Sequence, residues 1–409
     1  MPVIITACYL PLSEKLLIAI FHFSALRFVI LFGWLRAVVR GEICPLKLNT
    51  IDKAIICWVI SSFVIYIIRL QTSEALINRL GFIYNSIGLY FFFRLYIRDL
   101  DDIERVLKSI AIFIVPLAIA MLYEYSTGRN IFSIFGGIPE ITGLRGERFR
   151  CQGPFRHPIL AGTLGATLLP MFLALWFKGQ NFRVYATAGV VSATIITVTS
   201  SSSGPLIAYI FGIVGLLMWP FRMHMRAIRW GILLTLMSLH LVMKAPVWHL
   251  IQRLSSLIGG TGWHRAALID QAIAHFGDWV LLGTSDTGEW MPYTLGIDSS
   301  AADITNQYIA EGIRGGLITM ILYIIIIVCF FRMVGLSLKA MEERPFAEKI
   351  IVWSLGASLL AHVMAQASVG YFDQIIVIWY LLLAMISVPI NLRDMIRERA
   401  PSAIPARDA

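Results

Sequence analysis

Charged residues are scarce in this chain of 409 residues. Asp, Glu, Lys and Arg make up 14% of the sequence and apolar residues 58%, whereas soluble domains carry about 25% charged and roughly 45–50% apolar residues. The apolar residues fall in blocks of about 17–24, each long enough to cross a bilayer. The composition therefore excludes a soluble enzyme. It also excludes a nucleic-acid-binding protein despite the formal net charge of +9, because cytoplasmic loops of membrane proteins collect Lys and Arg.

Paired cysteines and internal repeats are not evident in the sequence, and we expect no cleavable leader. Cys8, Cys44, Cys57, Cys151 and Cys329 have no paired spacing, so we expect no disulfide framework. Residues 1–15 show no cationic start followed by a cleavable apolar core, so we expect no removable signal peptide. Without a repeat or a low-complexity linker, residues 1–409 are interpreted as a single integral membrane domain.

The apolar blocks predict an all-α polytopic membrane protein with about eleven transmembrane helices. A lone spanning segment must satisfy its backbone hydrogen bonds internally, so each block should form a helix. A twelfth element near the N-terminus would change only the side on which the N-terminus lies. The spans are expected at residues 16–38, 53–70, 77–97, 106–123, 157–177, 184–200, 204–219, 229–243, 313–333, 349–368 and 372–390.

The charges of the loops predict the orientation of the chain. Most Lys and Arg residues fall in the loops on one side, whereas the short loops opposite hold only Arg69 and Arg79, and Arg79 should snorkel to the surface. The cation-rich side is cytoplasmic by the positive-inside rule. The C-terminus should therefore lie in the cytoplasm, and the two large loops, 124–156 and 244–312, on the outer face.

The first large loop ends in a basic cluster immediately before the span that starts near Pro158. A helix start offers free backbone N–H groups and the positive end of the helix dipole. Guanidinium groups bind oxyanions bidentately, so the cluster predicts a phosphate or pyrophosphate pocket. The alternative is contact with lipid headgroups, which we disfavour because so many cations lie on the outer side. The cluster consists of Arg145, Arg148, Arg150, Arg156 and His157.

The second large loop should contain two short amphipathic helices, at about 246–258 and 263–276. On the second helix, His264 and His275 share one face, but a metal site needs a third ligand and a closer pair, so we expect no zinc. Arg265 beside them is a candidate contact for an anion or a sugar. The serine turn 199–205 before span seven is interpreted either as a helix cap formed by Ser203 or as a ligand contact.

Aromatic rings alternate with carboxylates along the same loop. Rings beside carboxylates and amides suit a sugar, which offers apolar ring faces together with hydroxyl groups. Asp303 is one of these carboxylate residues. The alternative is an aromatic belt at the membrane interface. The rings are Trp263, Trp279, Trp290, Tyr293 and Tyr308.

Three features taken together resemble the O-antigen ligase and Wzy-type polysaccharide polymerase superfamily of bacteria. The resemblance covers roughly residues 140–335. The features are the stretch Arg150-x-x-Gly153-Pro-Phe-x-His157-Pro158 at a helix start, a Ser-Gly turn after a threonine-rich span, and a large loop with Trp263-x-Arg265, Gly283 and Asn306-x-Tyr308 before a Gly-rich helix.

The resemblance implies a membrane glycosyltransferase. Members take a glycan from an undecaprenyl-pyrophosphate carrier on the periplasmic face of the bacterial inner membrane, and no metal or other cofactor is expected. A flippase and a chain-length regulator would be its partners. By motif match, Arg150 or Arg156, together with Arg265, would hold the pyrophosphate leaving group. The further substrate-binding candidates are Arg145, Arg148, His157, His264, Asn306 and Tyr308.

Two departures from the family pattern shift the expected activity. The family's turn usually reads Ser-Arg-Gly, but this chain has Ser203 in place of the arginine. The ligases carry a histidine directly before the last-loop asparagine, and this chain has Thr305 there. We therefore expect a polymerase of an exopolysaccharide or O-antigen-like glycan, inverting at the anomeric centre, with Asp303 as the base and His264 or His275 behind it. The alternatives are an O-antigen ligase, a transporter or flippase for lipid-linked oligosaccharide, and a non-catalytic partner of an export machine.

Overall fold

The structure is a computed structural model that describes residues 1–12, 16–18, 21–43, 48–257, 262–291 and 302–399. Cys44 and Tyr293, named above, lie outside these residues. Helices make up 78% of the structure. The α-helices are α1 Pro2–Tyr9, α2 Ala25–Val39, α3 Thr50–Leu70, α4 Ser73–Tyr96, α5 Leu100–Thr127, α6 Pro158–Leu175, α7 Gln180–Thr199, α8 Ser203–Leu217, α9 Met225–Val242, α10 Leu250–Leu257, α11 Gly262–Ala274, α12 Phe276–Trp279, α13 Gln307–Ala340, α14 Phe346–Gln366 and α15 Ile375–Arg399. Short 3-10 helices occur at Ile131–Phe135, Trp176–Lys178, Trp219–His224, Val247–His249 and Gly288–Trp290, and the strands are β1 Leu16–Ile18, β2 Phe21–Phe23, β3 Leu144–Arg145 and β4 Arg148–Phe149.

Several of these helices are long and apolar enough to cross a membrane, as the composition predicts. Seven such helices occur among the described residues, and Ser203–Leu217 and Ile375–Val388 are shorter apolar helices. The chain is therefore an all-α membrane protein in its described part, while the number of eleven spans stays a prediction. The seven are Thr50–Leu70, Leu100–Thr127, Pro158–Lys178, Gln180–Thr199, Trp219–Val242, Gln307–Ala340 and Phe346–Gln366.

The first predicted span, 16–38, is wrong in its N-terminal part. β1 and β2 pair there as a small antiparallel hairpin, and the helix α2 that follows has only 15 residues. Such a helix is about 22 Å long, shorter than the roughly 30 Å hydrocarbon core of a bilayer. A short apolar run does not distinguish a strand from a helix by hydrophobicity alone. The N-terminal helix α1, which packs on α5 and α15, is shorter still.

The centre of the bundle is α6, which is buried along almost its whole length between α7, α8 and α14. Small residues permit this close packing: a Cβ added at Gly165 would overlap the carbonyl oxygen of Ala193 on α7. On α14, Ser358 donates to the carbonyl of Thr167 at 2.7 Å. Near its last turn α14 also brings Ser368 close to Gly204. The starts of α6 and α8 and the end of α14 therefore meet at one end of the bundle, which we call the loop end.

α13 is broken near its start. Gly315 and Gly316 have non-helical backbone angles, with φ +71° at Gly316. Loop residues bond to the broken backbone: the amide of Thr284 donates to the carbonyl of Ile313 at 2.9 Å, and the amide of Leu317 donates to the carbonyl of Val280 at 2.9 Å. Non-helical backbone at membrane depth is tolerated where protein satisfies its polar groups in this way. The break fixes the loop residues 280–284 onto the bundle.

The two short helices predicted in the second loop are present. The first is the 3-10 helix Val247–His249 continued by α10, and the second is α11. Trp248 Nε1 and His249 Nε2 both bond the carboxylate of Asp270 on α11, at 2.7 and 2.9 Å. These contacts tie the two helices together beside the loop end of the bundle.

Candidate functional site

The serine turn between α7 and α8 forms the floor of the candidate site. Its hydroxyls do not cap α8: Ser202 occupies the N-cap position without a side-chain bond to the helix, so the capping role predicted for Ser203 is wrong. Instead, the Ser201 hydroxyl donates to the carbonyl of Phe149 at 2.8 Å, and the amide of Cys151 donates to the carbonyl of Thr199 at 3.1 Å. The turn is therefore docked on the end of strand β4, directly beside the basic cluster.

Two arginines from distant parts of the sequence converge on this turn. Arg150 Nη2 donates to Ser202 Oγ at 3.2 Å. Arg265 Nη1 donates to Ser203 Oγ at 3.4 Å and to Ser255 Oγ at 3.2 Å. Arg265, from α11, therefore reaches Ser203, the position at which the family that the sequence resembles carries an arginine. The start of α8 adds the positive end of a helix dipole to the two guanidinium groups.

Neither arginine has an acidic partner in the part of the chain that the structure describes. The ion pairs found there involve other residues. Arg265 is 6% exposed, and the buried Nε of Arg150 has no hydrogen-bond partner. Burial, together with the smaller effect of the nearby Arg145, lowers the pKa of both side chains to about 10. A buried cation beside a partly buried one, without a counter-charge, is costly unless an anion binds between them.

His157 lies beside these arginines as the N-cap of α6. Its Nδ1 accepts from the amide of Ile159 at 3.2 Å, which requires an unprotonated Nδ1. Burial and the charge of Arg150 lower the pKa of His157 to about 4, although the carboxylate of Asp303 opposes the change. The imidazole is therefore neutral at pH 7 and has Nε2–H as a donor.

Asp303 lies near a second histidine as well. Burial lowers the pKa of His264, and the carboxylate of Asp303 partly opposes this shift. His264 Nδ1 also bonds the hydroxyl of Thr305 at 3.3 Å. In the resemblance described above, Thr305 stands where the ligases carry a histidine, and α11 places an imidazole in contact with it. Asp303 itself is exposed, which leaves its carboxylate accessible to a substrate.

Five of the other candidate residues either make structural contacts within the protein or are exposed. Asn306 caps α13 by accepting from the amides of Tyr308 and Ile309 at 2.9 and 3.2 Å. The Tyr308 hydroxyl donates to the carbonyl of Val363 at 3.1 Å. Both side chains thus have structural bonds, and their substrate-binding role stays a prediction. Arg148 and Arg156 are exposed. His275, proposed above as a second supporting histidine, stacks on Trp290.

Sequence reasoning missed one residue that positions the site. Glu124, near the end of α5, is 1% exposed and accepts from the amides of Gln152 and Gly153 at 3.0 and 2.9 Å and from the hydroxyl of Thr142 at 3.0 Å. Thr142 and Gln152 flank the hairpin β3–β4 and its arginines, so Glu124 anchors both ends of that hairpin. Its signal in the sequence is a single acid at the end of an apolar span.

A separate polar cavity lies across the segment 302–306 from the arginines. Ala302 and Ile304 line this cavity, while Thr305 bonds His264 on the other side. Arg79 also lines it. Arg79 is 4% exposed and lies over the Tyr66 ring at 3.7 Å from the ring centroid, so the prediction that it snorkels to the surface is wrong.

No protein-family model matches the chain, and no curated protein matches it significantly.

Proposed function

We propose that the protein is a membrane glycosyltransferase that polymerises polyprenyl-pyrophosphate-linked repeat units into an exopolysaccharide or O-antigen-like glycan. The observation that carries the proposal is the pair of buried Arg265 and partly buried Arg150, which lie at the start of α8 without a carboxylate partner among the described residues. A pyrophosphate supplies the missing negative charge and the oxygen acceptors that guanidinium groups and a helix start favour. The resemblance of residues 140–335 to the polymerase and ligase superfamily supplies the reaction class.

In the proposed reaction the arginines stabilise the leaving group. An acceptor hydroxyl attacks the anomeric carbon of the carrier-linked sugar while the bond from that carbon to the pyrophosphate oxygen breaks. The negative charge that develops on the pyrophosphate falls beside Arg150 and Arg265, where low local polarity strengthens the attraction. The proton of the acceptor hydroxyl passes to the carboxylate of Asp303. A single displacement of this kind inverts the anomeric configuration and requires no metal.

The proposal includes the placement of the protein in the cell. With eleven spans and the cation-rich loops in the cytoplasm, the site faces the periplasm of the bacterial inner membrane and the C-terminus faces the cytoplasm. A flippase would deliver the lipid-linked substrate to that face, and a chain-length regulator would act on the product. The lipid carrier and the bilayer are the immediate partners.

One contact favours a second candidate, an O-antigen ligase that transfers the finished glycan to a lipid acceptor. His264 bonds Thr305, so an imidazole from α11 contacts the position at which ligases carry their histidine. In that case His264 would take the proton of the acceptor hydroxyl. A burial-lowered pKa leaves His264 neutral at pH 7, which is the form that can accept a proton.

The size profile of lipid-linked glycan in cells lacking the protein distinguishes these functions. Complementation with Arg265→Ala or Asp303→Asn should give no polymer, and single repeat units should accumulate on the carrier, while Arg129→Ala serves as the matched control. Arg129 is an exposed arginine near the loop end, paired with exposed Glu140. Long chains that stay on the carrier would identify a ligase instead. Normal polymer length and yield in both variants, with normal membrane insertion, would refute the site.

A further inference from the structure

A cavity of about 520 Å³ lies among α3, α4, α13 and α15, beneath loop residues 284–287. Its volume is in the range typical of sites for small organic ligands, about 300–1,000 Å³. It shares the segment 302–306 with the arginine pair of the candidate site but contains neither arginine. Proposed chemistry at the arginine pair does not use it. Polar and charged groups at membrane depth are costly and usually functional, so this cavity needs its own explanation.

The charged residues that line the cavity carry an excess of positive charge. They are three arginines, Arg69, Arg79 and Arg314, and one acid, Glu311. Glu311 is 1% exposed and is engaged by three donors: Gln307 Nε2 at 2.7 Å, Trp58 Nε1 at 3.2 Å and Arg314 Nη1 at 3.4 Å. One carboxylate therefore balances Arg314 and leaves the other two guanidinium groups uncompensated.

Arg79 is the side chain that points to a ligand. Its Nη1 donates to Ser62 Oγ at 3.3 Å, and its buried Nε has no hydrogen-bond partner in the described part of the chain. The buried Nε of Arg69 lacks a partner in the same way, although its Nη1 donates to the carbonyl of Ile313 at 2.7 Å. Two buried N–H groups on unneutralised cations favour an anionic occupant with oxygen acceptors.

The remaining lining is that of a carbohydrate site. Trp58, Tyr66 and Trp379 present aromatic surface, and Asn78 and Asn85 add amide groups. Aromatic rings cover the apolar faces of a pyranose, while amides bond its hydroxyl groups. A neutral sugar would leave the excess positive charge uncompensated. A sugar with a carboxylate would satisfy both the rings and the arginines.

We propose that this cavity binds an acidic sugar residue, one that carries a carboxylate, and that Arg79 and Arg69 hold the carboxylate. The inference rests on the proposed function, because it assigns the acidic sugar to the acceptor glycan of that reaction. The wall 302–306 then separates the sugar from the pyrophosphate pocket and places Asp303 and Thr305 on the pyrophosphate side. The substrate class would be glycans with uronic acid or similar residues, rather than neutral glycans.

Binding of a defined uronate oligosaccharide to the full-length protein tests the inference. The protein is reconstituted in phosphatidylcholine nanodiscs and titrated with tetragalacturonate or with its fully methyl-esterified form, which has the same sugar backbone but carries a neutral methyl ester in place of each carboxylate. Trp58 and Trp379 line the cavity, so tryptophan fluorescence reports occupancy. We expect the ester to bind at least about tenfold more weakly than the acid, since a hydrogen bond to a charged group contributes roughly a factor of ten or more.

Variants locate the binding. Arg79→Gln should weaken tetragalacturonate binding by about ten- to a hundredfold, whereas Arg129→Gln, at an exposed arginine, should leave it unchanged. The comparison of acid and ester in the unmodified protein needs no variant, so a misfolded Arg79→Gln protein does not void the test. Equal binding of acid and ester, or no binding of either, would overturn the inference.

A lipid headgroup is the competing source of negative charge. Nanodiscs that contain phosphatidylglycerol distinguish it: if this lipid displaces tetragalacturonate, the cavity holds an anionic lipid and the inference is overturned. Failure here is distinct from failure of the proposed function. If the sugar does not bind but Arg265→Ala still loses its polymer, only the assignment of the cavity is refuted. If the sugar binds but Arg265→Ala makes normal polymer, the proposed role of the arginine pair and its chemistry are refuted.

Discussion

Replacing Arg265 with Met should stabilise the unliganded protein and remove its ability to bind an anion. The guanidinium is 6% exposed, and burial lowers its pKa to about 10, from an ordinary arginine pKa above about 12. One unit of pKa corresponds to about 1.4 kcal/mol. Keeping this side chain charged in the folded protein therefore costs about 3 kcal/mol.

The variant also loses two hydrogen bonds, to Ser203 and Ser255, which at 3.4 and 3.2 Å are long and therefore contribute about 1 kcal/mol each, less than a well-formed bond to a charged group. The methionine side chain keeps most of the apolar stem of arginine in place. The net expectation is a gain of about 1 kcal/mol in the free energy of unfolding of Arg265→Met. An arginine in a buried structural ion pair would behave in the opposite way, because its removal leaves an unpaired carboxylate and costs about 3–5 kcal/mol.

Thermal unfolding in nanodiscs, followed by tryptophan fluorescence with and without inorganic pyrophosphate, measures both effects. At a hundredfold excess over its Kd, a ligand stabilises the folded state by about 2.7 kcal/mol, and Arg265→Met should lose most of this gain. The exposed Arg129→Met is the control and should change neither measurement. The reasoning is refuted if Arg265→Met unfolds at a much lower temperature without ligand, or if pyrophosphate stabilises it as much as the unmodified protein.

Three further predictions concern the groups that hold the site in place. Glu124→Gln puts an amide NH2 against backbone N–H donors, so pyrophosphate affinity should fall about tenfold and proteolysis of residues 142–153 should speed up, unlike in exposed Glu140→Gln. Because the folded protein protonates His157 only near pH 4 and the unfolded chain does so near pH 6.5, stability should fall as the pH drops between these values. This pH dependence should be weaker in His157→Asn, which keeps a capping side chain; a remainder of the same sign is expected from His264, whose pKa burial also lowers. In Gly204→Ala the added methyl would overlap Ser368 Oγ and contact Arg265, so pyrophosphate binding should weaken, and Ser368→Gly should restore it; no weakening would argue against tight packing there.

Hydrophobic blocks in the sequence predicted most of the helical bundle, because a span must be long, apolar and internally hydrogen-bonded. The same criterion failed at Leu16–Ile18 and Phe21–Phe23, which belong to an apolar run of suitable length but form β1 and β2. It also misplaced Arg79, since a cation near a helix end can lie in a cavity of the bundle as well as at the lipid surface. Both errors come from tertiary packing, which cannot be predicted from the hydrophobicity of the sequence alone.

Local sequence indicated the arginine cluster before α6, but it did not indicate which of those arginines would be partly buried against the serine turn. That outcome depends on Arg265, 115 positions after Arg150, and on the serine turn to which both donate. Asn306 and Tyr308 illustrate the converse: their motif marked a helix start, and the structure shows the bonds that form it. A motif alone does not separate a residue that shapes the backbone from one that contacts a substrate.

The segment 302–306 has a thermodynamic consequence as the shared wall of two pockets. Ala302 and Ile304 line the polar cavity, and Thr305 contacts His264 beside the arginines. Ordering the segment 302–306 costs conformational entropy. If the first ligand, in either pocket, orders this segment, the second ligand bears less of that entropic cost. Reciprocity then requires pyrophosphate to raise the affinity for the sugar by the same factor by which the sugar raises the affinity for pyrophosphate. Donor and acceptor binding would thus be positively cooperative, and the protein would hold both together more often than independent affinities allow.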